Sequence, residues 1–406
     1  MDIVLIPGLW LDGSSWNAVI PVLERAGHSC HPITLPGLDG VQDPGSVSLA
    51  DCVAAVTDVI DAVDGPVLLV GHSAGCGLAQ VVLDVRVDKV ARIVHIGGFP
   101  ANPDAPLIGG VPTEDGGIPW PGWDAFEAED RADLDDATLD AFGEAAIPWP
   151  ASLATEVVGL ADPRRHAVPA TAICTEYSAA DLVEWVESGQ LAETDALTNL
   201  DFIDLPTGHW PQFTRAEELA ILLAELAEVP RIDDHGRVEP PLQAGEARTA
   251  MGYLDYQRAT LAWKARGLGE EGLRARVPSS ELSLGGLLGH MALVEEHWLS
   301  YWLAGNEVGE PWAAVEWEAD EDWDFHLADR EAPEDVWALW NRAVRCSRAF
   351  VAGALARDGM STPSAREHEG IRQPLRWILL HMIEEYARHN GHADLLREAV
   401  DGQTGE

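Results

Sequence analysis

The feature that most constrains the fold of this 406-residue chain is a short apolar stretch that leads directly into Gly-x-Ser-x-Gly. Residues 67–70 are Val-Leu-Leu-Val, and residues 71–75 are Gly-His-Ser-Ala-Gly. A strand followed by two closely spaced glycines predicts a sharp turn into a helix, with the serine hydroxyl at the carboxyl edge of a sheet and at the positive end of the helix. We therefore interpret Ser73 as a nucleophile. The alternative is an ordinary glycine-rich turn.

The first 228 residues alternate short β-branched stretches with helical ones, which is typical of a mostly parallel sheet covered on both faces. The predicted strands lie near residues 2–6, 30–34, 66–70, 91–96, 169–174 and 200–204. The long segment 99–168 between the fourth and fifth strands exceeds the usual connection, so we expect it to form a cap over the site. The Pro-Trp clusters at 118–123 and 147–150 are expected either to wall a pocket or to form the core of the cap.

A neutral serine hydroxyl needs a base within hydrogen-bond reach and a third group that orients this base. His209 follows the last predicted strand on a loop, at the sheet edge where Ser73 is expected, and we interpret it as the base. Two carboxylates follow the strand at 169–174. We choose Asp181, at the head of a helix, as the orienting acid, and Glu176, which is closer to the strand end, is its rival.

The sequence changes character after residue 228. Residues 229–244 are rich in proline and charge without hydrophobic periodicity, which predicts a linker. Apolar residues then recur at intervals of three and four in four long segments, 245–266, 283–304, 333–357 and 374–399. This periodicity predicts an all-α four-helix bundle domain over residues 245–402.

Titratable residues share one face of the last predicted helix, since a helix turns by about 100° per residue. These residues are His381, Glu385, His389 and His392. On a bundle helix this face should point inward, where unpaired charges are costly unless they bind a metal or one another. The second helix offers His290 and His297. A Glu-x-x-x-His turn with one histidine from a facing helix would form a His₂Glu site with an open coordination position, as in catalytic zinc sites. The alternative is a hydrogen-bonded polar seam.

With its Gly-x-Ser-x-Gly turn and its later acid and histidine, the first 228 residues resemble the α/β-hydrolase superfamily, whose chain order is serine, acid, histidine. The stretches 4–16 and 24–28 resemble its small esterase and hydroxynitrile-lyase branch. The resemblance implies that the backbone N–H groups of Leu9 and Ala74 form an oxyanion hole for a developing alkoxide. Pro7-Gly8 stands where His-Gly is usual in the superfamily, and this change leaves the backbone donor intact.

With Gly285-Gly286-Leu287-Leu288-Gly289-His290 on its second helix and Glu-x-x-x-His on its last, the region 245–402 resembles the DinB-like metal-binding helical superfamily. Within that superfamily it resembles the mycothiol-dependent maleylpyruvate isomerases. The resemblance implies that His290, Glu385 and His389 are metal ligands and that a low-molecular-weight thiol is a cosubstrate. Zinc is our first choice because imidazole and carboxylate suit it, although iron or nickel fits the same ligands. We expect His381, His392 and His297 to be supporting or surface groups.

Charge and composition limit the partners. The chain has 68 acidic and 26 basic residues and a net charge of −42, which disfavours nucleic acid and anionic membranes and favours a neutral or cationic small-molecule substrate. Five scattered cysteines without Cys-x-x-Cys spacing are expected to be reduced. The start of the chain has no basic segment or cleavage site, and no apolar run reaches about twenty residues, so we expect a cytoplasmic protein. The sequence does not indicate an oligomeric state.

Taken together, these features predict a serine hydrolase for a small neutral ester, amide or thioester, fused to a metal-dependent module that resembles thiol transferases. Two alternatives remain open at this point. The first domain is either an enzyme or a relative that binds a ligand without turnover, with the bundle as a structural or sensing module. The same serine, histidine and acid would also serve a lyase that breaks a carbon–carbon bond.

Overall fold

A computed structural model of the chain describes residues 1–367 and 370–405. The chain divides into two compact units, Met1–Val229 and Pro230–Glu406. The predicted order, a parallel sheet with helices followed by a helical region, is confirmed. Within the described residues, no helix combines the length and the apolar character needed to cross a membrane.

The first unit is built on a six-stranded sheet whose neighbouring strands are all parallel. In chain order its strands are β1 (Asp2–Ile6), β2 (Ser29–Pro32), β3 (Val67–His72), β4 (Val90–Ile96), β7 (Ala170–Cys174) and β8 (Leu200–Asp204), and their order across the sheet is β2-β1-β3-β4-β7-β8. Strand β3 lies inside the sheet, and all its residues are buried because both faces are covered. Since the strands are parallel, the loops after β1, β3, β7 and β8 leave from one edge.

Helices cover both faces of this sheet, and their apolar sides form its cores. They are α1 (Ile20–Arg25), α2 (Leu49–Ala62), α3 (Ala74–Val85), α6 (Ala179–Glu187), α7 (Ala192–Asp195), α8 (Pro211–Thr214) and α9 (Ala216–Leu226). One core packs side chains such as Leu5, Val70 and Val94 of the strands against Leu219 and Leu223 of α9. This packing fixes the strand ends that carry the site.

Residues 97–169, between β4 and β7, are called the insertion here, and they correspond to the predicted cap. The insertion holds one short antiparallel pair of strands and two helices: β5 (Gly117–Ile118), β6 (Trp149–Pro150), α4 (Asp136–Ala145) and α5 (Ser152–Thr155). Among the tryptophans of its two Pro-Trp clusters, Trp120 and Trp123 are half-buried. Trp149 is fully buried, and the rings of Trp120 and Trp123 contact each other at a centroid distance of 4.9 Å. These rings form an apolar core of the insertion.

The second unit is helical. Its helices are α10 (Glu246–Ala265), α11 (Glu270–Arg274), α12 (Leu284–Glu295), α13 (Leu327–Arg330), α14 (Pro333–Asp358) and α15 (Leu375–Asp401), and a π-helical stretch, Glu296–Ala304, continues α12. The four long segments that periodicity predicts correspond to α10, α12 with its continuation, α14 and α15. The short helices α11 and α13 were not predicted, since their few residues give no clear periodicity.

The predicted linker, residues 229–244, is partly ordered against α10. Ile232 and Val238 form an isolated antiparallel bridge. Arg237 is only 5% exposed, donates a hydrogen bond to Thr260 at 2.8 Å, and has its guanidinium carbon 4.9 Å from the ring centre of Trp263. The cation and its aromatic partner hold this turn, and such contacts have no hydrophobic periodicity by which the sequence could reveal them.

Candidate active site and candidate metal site

The turn after β3 is sharp because two glycines leave room for it. Ser73 has φ +52° and ψ −124°, an uncommon conformation for a residue with a side chain. A Cβ on Gly71 would lie 2.5 Å from the carbonyl oxygen of Gly75, and a Cβ on Gly75 would lie 2.5 Å from the carbonyl oxygen of Pro7. Glycine is therefore required at both positions, and the serine is held at the carboxyl edge of the sheet, at the start of α3.

Three side chains from three loops at this edge form a continuous hydrogen-bonded chain. The Ser73 hydroxyl lies 2.9 Å from Nε2 of His209. On the other side of the ring, Nδ1 of His209 lies 2.7 Å from Oε1 of Glu176. When Nδ1–H donates to the carboxylate, Nε2 is the acceptor that faces the serine hydroxyl. The structure therefore brings the predicted nucleophile and the predicted base together, and the acid behind them is Glu176.

The surroundings keep Glu176 ionised. Burial opposes its charge, but hydrogen bonds from His209 and from the Thr175 hydroxyl, together with the charge of His209, lower the pKa of Glu176 to about 2. A carboxylate in this position stabilises the imidazolium that forms when His209 accepts a proton.

Asp181, our choice from the sequence, has a different role in the structure. Its Oδ2 accepts hydrogen bonds from the backbone N–H and the hydroxyl of Ser178, at 2.8 and 2.6 Å. Ser178 in turn accepts a hydrogen bond from the backbone N–H of Asp181, so the two residues form the capping box of α6. The choice of Asp181 over Glu176 as the acid that orients His209 was wrong, because the structure places Glu176 against the ring of His209. The Ser-x-x-Asp pattern is a signal for the start of a helix, and it could have indicated that Asp181 caps α6.

A buried histidine supports the loop of His209, and the sequence did not reveal it. Nε2 of His72 lies 2.8 Å from the backbone carbonyl oxygen of His209, and the side-chain amide of Gln212 lies 3.3 Å from Nδ1 of His72. Burial and the charge of His209 lower the pKa of His72 to about 3. The neutral ring therefore donates to this carbonyl and helps to fix the position of the base.

The loop after β1 lies against the serine turn. A Cβ on Gly8 would lie 3.0 Å from Cβ of Ser73 and 2.6 Å from Nδ1 of His72. This places the next residue, Leu9, beside the turn. Among hydrogen bonds between described residues, neither the Leu9 nor the Ala74 backbone N–H is used as a donor. Two unused backbone donors next to a serine are the arrangement that an oxyanion hole requires.

The three metal ligands that the resemblance implies lie together in the second unit. One ligand atom from each of His290, Glu385 and His389 falls within 4.8 Å of the other two. Nε2 of His389 lies 3.6 Å from Oε2 of Glu385, and the rings of His290 and His389 are 4.7 Å apart. Helix α12 supplies the first residue, and the i, i+4 spacing on α15 supplies the other two.

Asp324 orients His290, and the sequence gave no sign of this residue's role in the site. Its Oδ2 accepts a hydrogen bond from Nδ1 of His290 at 2.7 Å, and the residue is only 4% exposed. A carboxylate on one ring nitrogen leaves the other as the ligand atom and fixes the ring orientation. A Cβ on Gly289 would lie 2.5 Å from the carbonyl oxygen of Asp324. Glycine at position 289 of α12 therefore permits this close approach.

The charges in this cluster suit a cation. Burial, followed by the nearby charges of His290 and His392, lowers the pKa of His389 to about 4, so its ring is neutral and able to bind a metal. Among the described residues, the ion-pair partners of Glu385 are histidines, and none is an arginine or a lysine. Two imidazoles and one carboxylate without an arginine or lysine partner are a donor set that zinc accepts.

The three other histidines named from the sequence lie around this cluster or apart from it. Nε2 of His381 lies 3.8 Å from Oε1 of Glu385, and the ring stacks on Trp377 at 5.3 Å. Nδ1 of His392 lies 3.4 Å from Nδ1 of His389. His297 accepts a hydrogen bond from the Trp302 indole at 2.8 Å.

Comparison with known proteins agrees with both units. Residues 3–221 match the model of the alpha/beta hydrolase family, and residues 249–402 match that of the mycothiol S-transferases. The first match spans more than half of the chain, so the protein belongs to the alpha/beta hydrolase family. Its C-terminal part carries a mycothiol S-transferase domain, which is DinB-like.

Individual relatives are distant. A pyrethroid hydrolase of Sphingobium wenxiniae is 32% identical over 98 residues, which cover 23% of this chain and 35% of that protein. The match thus spans about a third of the relative's length. An extracellular alpha/beta hydrolase from a Paenibacillus species is 19% identical, covering 56% of this chain and 99% of that one, with a TM-score of 0.46. A pyrethroid hydrolase from Sphingobium faniae is 19% identical, covering 57% of this chain and 98% of that one, with a TM-score of 0.41. Similarities this low do not identify a substrate.

Proposed function

We propose that the first unit is a serine hydrolase that acts on a small ester, amide or thioester. The observation that carries this proposal is the hydrogen-bonded chain from Ser73 through His209 to Glu176. It supplies the three groups that acyl transfer needs: a nucleophile, a base, and an acid that orients the base.

In the proposed reaction the Ser73 oxygen attacks the carbonyl carbon while its proton moves to Nε2 of His209. The carbonyl π electrons move to oxygen, and the N–H groups of Leu9 and Ala74 donate hydrogen bonds to the resulting alkoxide. When the tetrahedral centre collapses, the bond to the leaving group breaks and His209 returns the proton to that group. Water then repeats the sequence on the acyl-serine and releases the acid. Glu176 remains a carboxylate throughout.

Electrostatics limits the substrate class. The net charge of −42 disfavours the approach of anions, so we propose neutral or cationic small molecules rather than nucleic acid or anionic membranes. Within that class the distant sequence similarity to one pyrethroid hydrolase supports an ester over an amide as substrate.

The test of the hydrolase proposal is labelling with a small fluorophosphonate, which reacts with an activated serine. We expect the wild type to be labelled and Ser73→Ala to remain unlabelled. Ser46→Ala, which changes an exposed serine of the same unit, is the matched control and should be labelled like the wild type. Equal labelling of wild type and Ser73→Ala would refute the proposal, and so would an unlabelled wild type.

For the second unit, we propose a metal-dependent thiol transferase in which His290, Glu385 and His389 hold one divalent ion, with zinc as the first choice. A bound divalent ion lowers the pKa of a thiol toward neutrality and so supplies a thiolate. The chain's own residues hold the ligands in place: Asp324 orients His290, and burial keeps His389 neutral. The similarity to mycothiol S-transferases supports a low-molecular-weight thiol as cosubstrate.

Elemental analysis of the purified protein tests the metal proposal. We expect one equivalent of metal in the wild type and a loss of that metal in His290→Ala and His389→Ala. His297→Ala alters a histidine of the same helical segment that bonds Trp302 instead, so it should keep the metal. Wild-type protein that binds no added zinc, cobalt or iron would rule out the metal site.

A further inference from the structure

The residue after Leu9 has an unusual backbone. Trp10 has φ +63°, in the left-handed region that favours glycine and is strained for a bulky side chain. Such a conformation persists only where the surroundings hold it, and it often accompanies function. The side chain is buried, with 8% of its surface exposed. Because residues 9 and 10 share a peptide unit, the backbone at Trp10 helps to set where the loop carrying the Leu9 N–H lies.

The insertion holds this strained segment through three hydrogen bonds. The indole N–H of Trp10 donates to the carbonyl oxygen of Pro119, and the backbone N–H of Ile147 donates to the carbonyl oxygen of Trp10, both at 3.0 Å. The indole N–H of Trp149 donates to the carbonyl oxygen of Leu11, also at 3.0 Å. The loop after β1 is therefore attached to the insertion at its strained residue and at the residue that follows.

The loop of the base is attached to the same insertion. The backbone N–H of His209 donates to the carbonyl oxygen of Asp130 at 2.7 Å, and the backbone N–H of Gly208 donates to Oδ1 of Asp133 at 3.0 Å. The insertion thus contacts the two loops that carry the oxyanion donor and the base. This makes it part of the framework of the site.

We propose that Trp10 is a positioning residue for the oxyanion hole. Its indole, anchored to the insertion, holds the left-handed backbone that aims the Leu9 N–H at the reacting oxygen. This inference rests on the proposed hydrolase function. It predicts that weakening the anchor lowers stabilisation of the transition state, whereas ground-state binding of the substrate is preserved.

Tryptophan-to-phenylalanine changes test the anchor, because they keep an aromatic ring and remove one N–H donor. Trp10→Phe removes the bond to Pro119, and Trp149→Phe removes the bond to Leu11. Trp123→Phe is the matched control, since its indole donates to the carbonyl oxygen of Leu139 within the insertion. The readouts are kcat and KM on an aryl ester of a short acid, the affinity for an aryl trifluoromethyl ketone, and the thermal midpoint. This ketone forms a tetrahedral oxyanion on the serine.

We expect kcat to fall about tenfold or more in Trp10→Phe and Trp149→Phe, with KM within twofold of wild type, because loss of one well-aimed oxyanion donor costs about a hundredfold or more. The affinity for the ketone should fall in the same proportion as kcat, and Trp123→Phe should match the wild type in both. A raised KM with unchanged kcat would instead make Trp10 a pocket wall and overturn the inference.

Three further outcomes also decide the matter. Equal losses in Trp123→Phe would assign the effect to general packing of the insertion, against the inference. A wild type that fluorophosphonate labels, with normal kcat in both Trp10→Phe and Trp149→Phe, would overturn the inference alone. A wild type that is not labelled would overturn the proposed function and this inference with it.

Discussion

The two candidate sites differ in whether their polar groups satisfy one another. In the first unit, Ser73, His209 and Glu176 are joined by hydrogen bonds of 2.9 and 2.7 Å, so these three side chains satisfy one another without a bound ion or ligand. In the second unit, His389 and Glu385 face each other at 3.6 Å, too far for a normal hydrogen bond. A hydrogen-bonded chain is suited to proton transfer, and a gap lined by possible ligand atoms is suited to a cation. The comparison therefore separates the two chemistries before any substrate is known.

The difference begins in the local sequence. The first site is assembled from loops after β3, β7 and β8, where a strained serine and closely packed glycines permit side chains to meet at one sheet edge. The second site is formed by side chains of regular helices, where i, i+4 spacing places Glu385 and His389 on one face. Loop sites depend on details of the turn, whereas helix sites follow from periodicity.

The largest expected effect tests the completeness of the first site. Glu176→Gln should lower kcat of ester hydrolysis by about a thousandfold to ten-thousandfold, because the amide neither stabilises the imidazolium nor fixes the tautomer of His209. Hydrolysis of an aryl ester followed by absorbance measures the change.

The matched control for that experiment is Asp181→Asn, which alters the other acid of the same segment. It weakens only the capping box of α6, so kcat should remain within about twofold. If Asp181→Asn were the more damaging change, Glu176 would not be the acid of the active enzyme.

A second prediction separates two acids of the bundle, the buried Glu295 and the half-buried Glu385. Glu295 is fully buried and accepts hydrogen bonds from Arg258 at 2.8 and 2.7 Å and from the Tyr386 hydroxyl at 2.7 Å. Glu295→Ala removes two hydrogen bonds of the buried Arg258 guanidinium, which keeps its ion pair with Asp255 at 2.9 Å, so the free energy of unfolding should fall by about 3 to 5 kcal/mol. Urea denaturation with far-UV circular dichroism measures it.

Glu385→Ala is the comparison for this change, because Glu385 has only histidines as ion-pair partners among the described residues. We expect it to abolish metal binding and to cost little stability in metal-free protein. Folded Glu295→Ala should retain its metal. Loss of metal in Glu295→Ala with stability intact would reverse the assignment of the two acids.

The sequence predicted regular features well and specific contacts less well. The parallel sheet and long helices follow from hydrophobic periodicity, and Ser73 follows from its glycine turn. Glu176 was named only as a rival, because distance along the chain does not tell which of two carboxylates after one strand reaches His209. Asp324 was missed because it lies 34 residues from His290 in sequence and meets it only through tertiary packing. Contacts between residues far apart in the chain have no local sequence pattern.

The third prediction tests whether a residue that is not itself a ligand, Asp324, raises the metal affinity of the site. Asp324→Asn keeps the size of the side chain but removes the charge that orients His290. We expect zinc affinity to fall about tenfold to a hundredfold while stoichiometry stays at one. Competition with a chromophoric chelator measures the affinity.

Asp320→Asn provides the control for this change. Asp320 accepts a hydrogen bond from Nδ1 of His326 at 3.0 Å, and neither residue belongs to the ligand set. Its removal should leave zinc affinity unchanged, and an equal loss in both variants would assign the effect to general charge.

The smallest predicted effect concerns a buried histidine of the first unit. Burial in the sheet keeps its imidazole neutral, and this histidine is not one of the proposed metal ligands. His95 on β4 is 1% exposed, and among the described residues neither ring nitrogen has a hydrogen-bond partner. Burial lowers its pKa from the ordinary 6.5 to about 3. Between these values the unfolded chain binds a proton that the folded chain does not, so stability present above pH 6.5 is lost as the pH falls.

From pH 7.5 to 5.5 this one group should reduce the free energy of unfolding by about 1.4 kcal/mol. In His95→Gln that loss should disappear, so the difference in unfolding free energy between wild type and variant should shift by the same amount over this interval. Between pH 7.5 and 8.5 the difference should stay constant, because both proteins then have neutral residues at position 95. Parallel pH profiles of wild type and His95→Gln down to pH 5.5 would mean that His95 is protonated equally in the folded and the unfolded chain. Water would then reach this side chain, and the interior of the first unit would not exclude it.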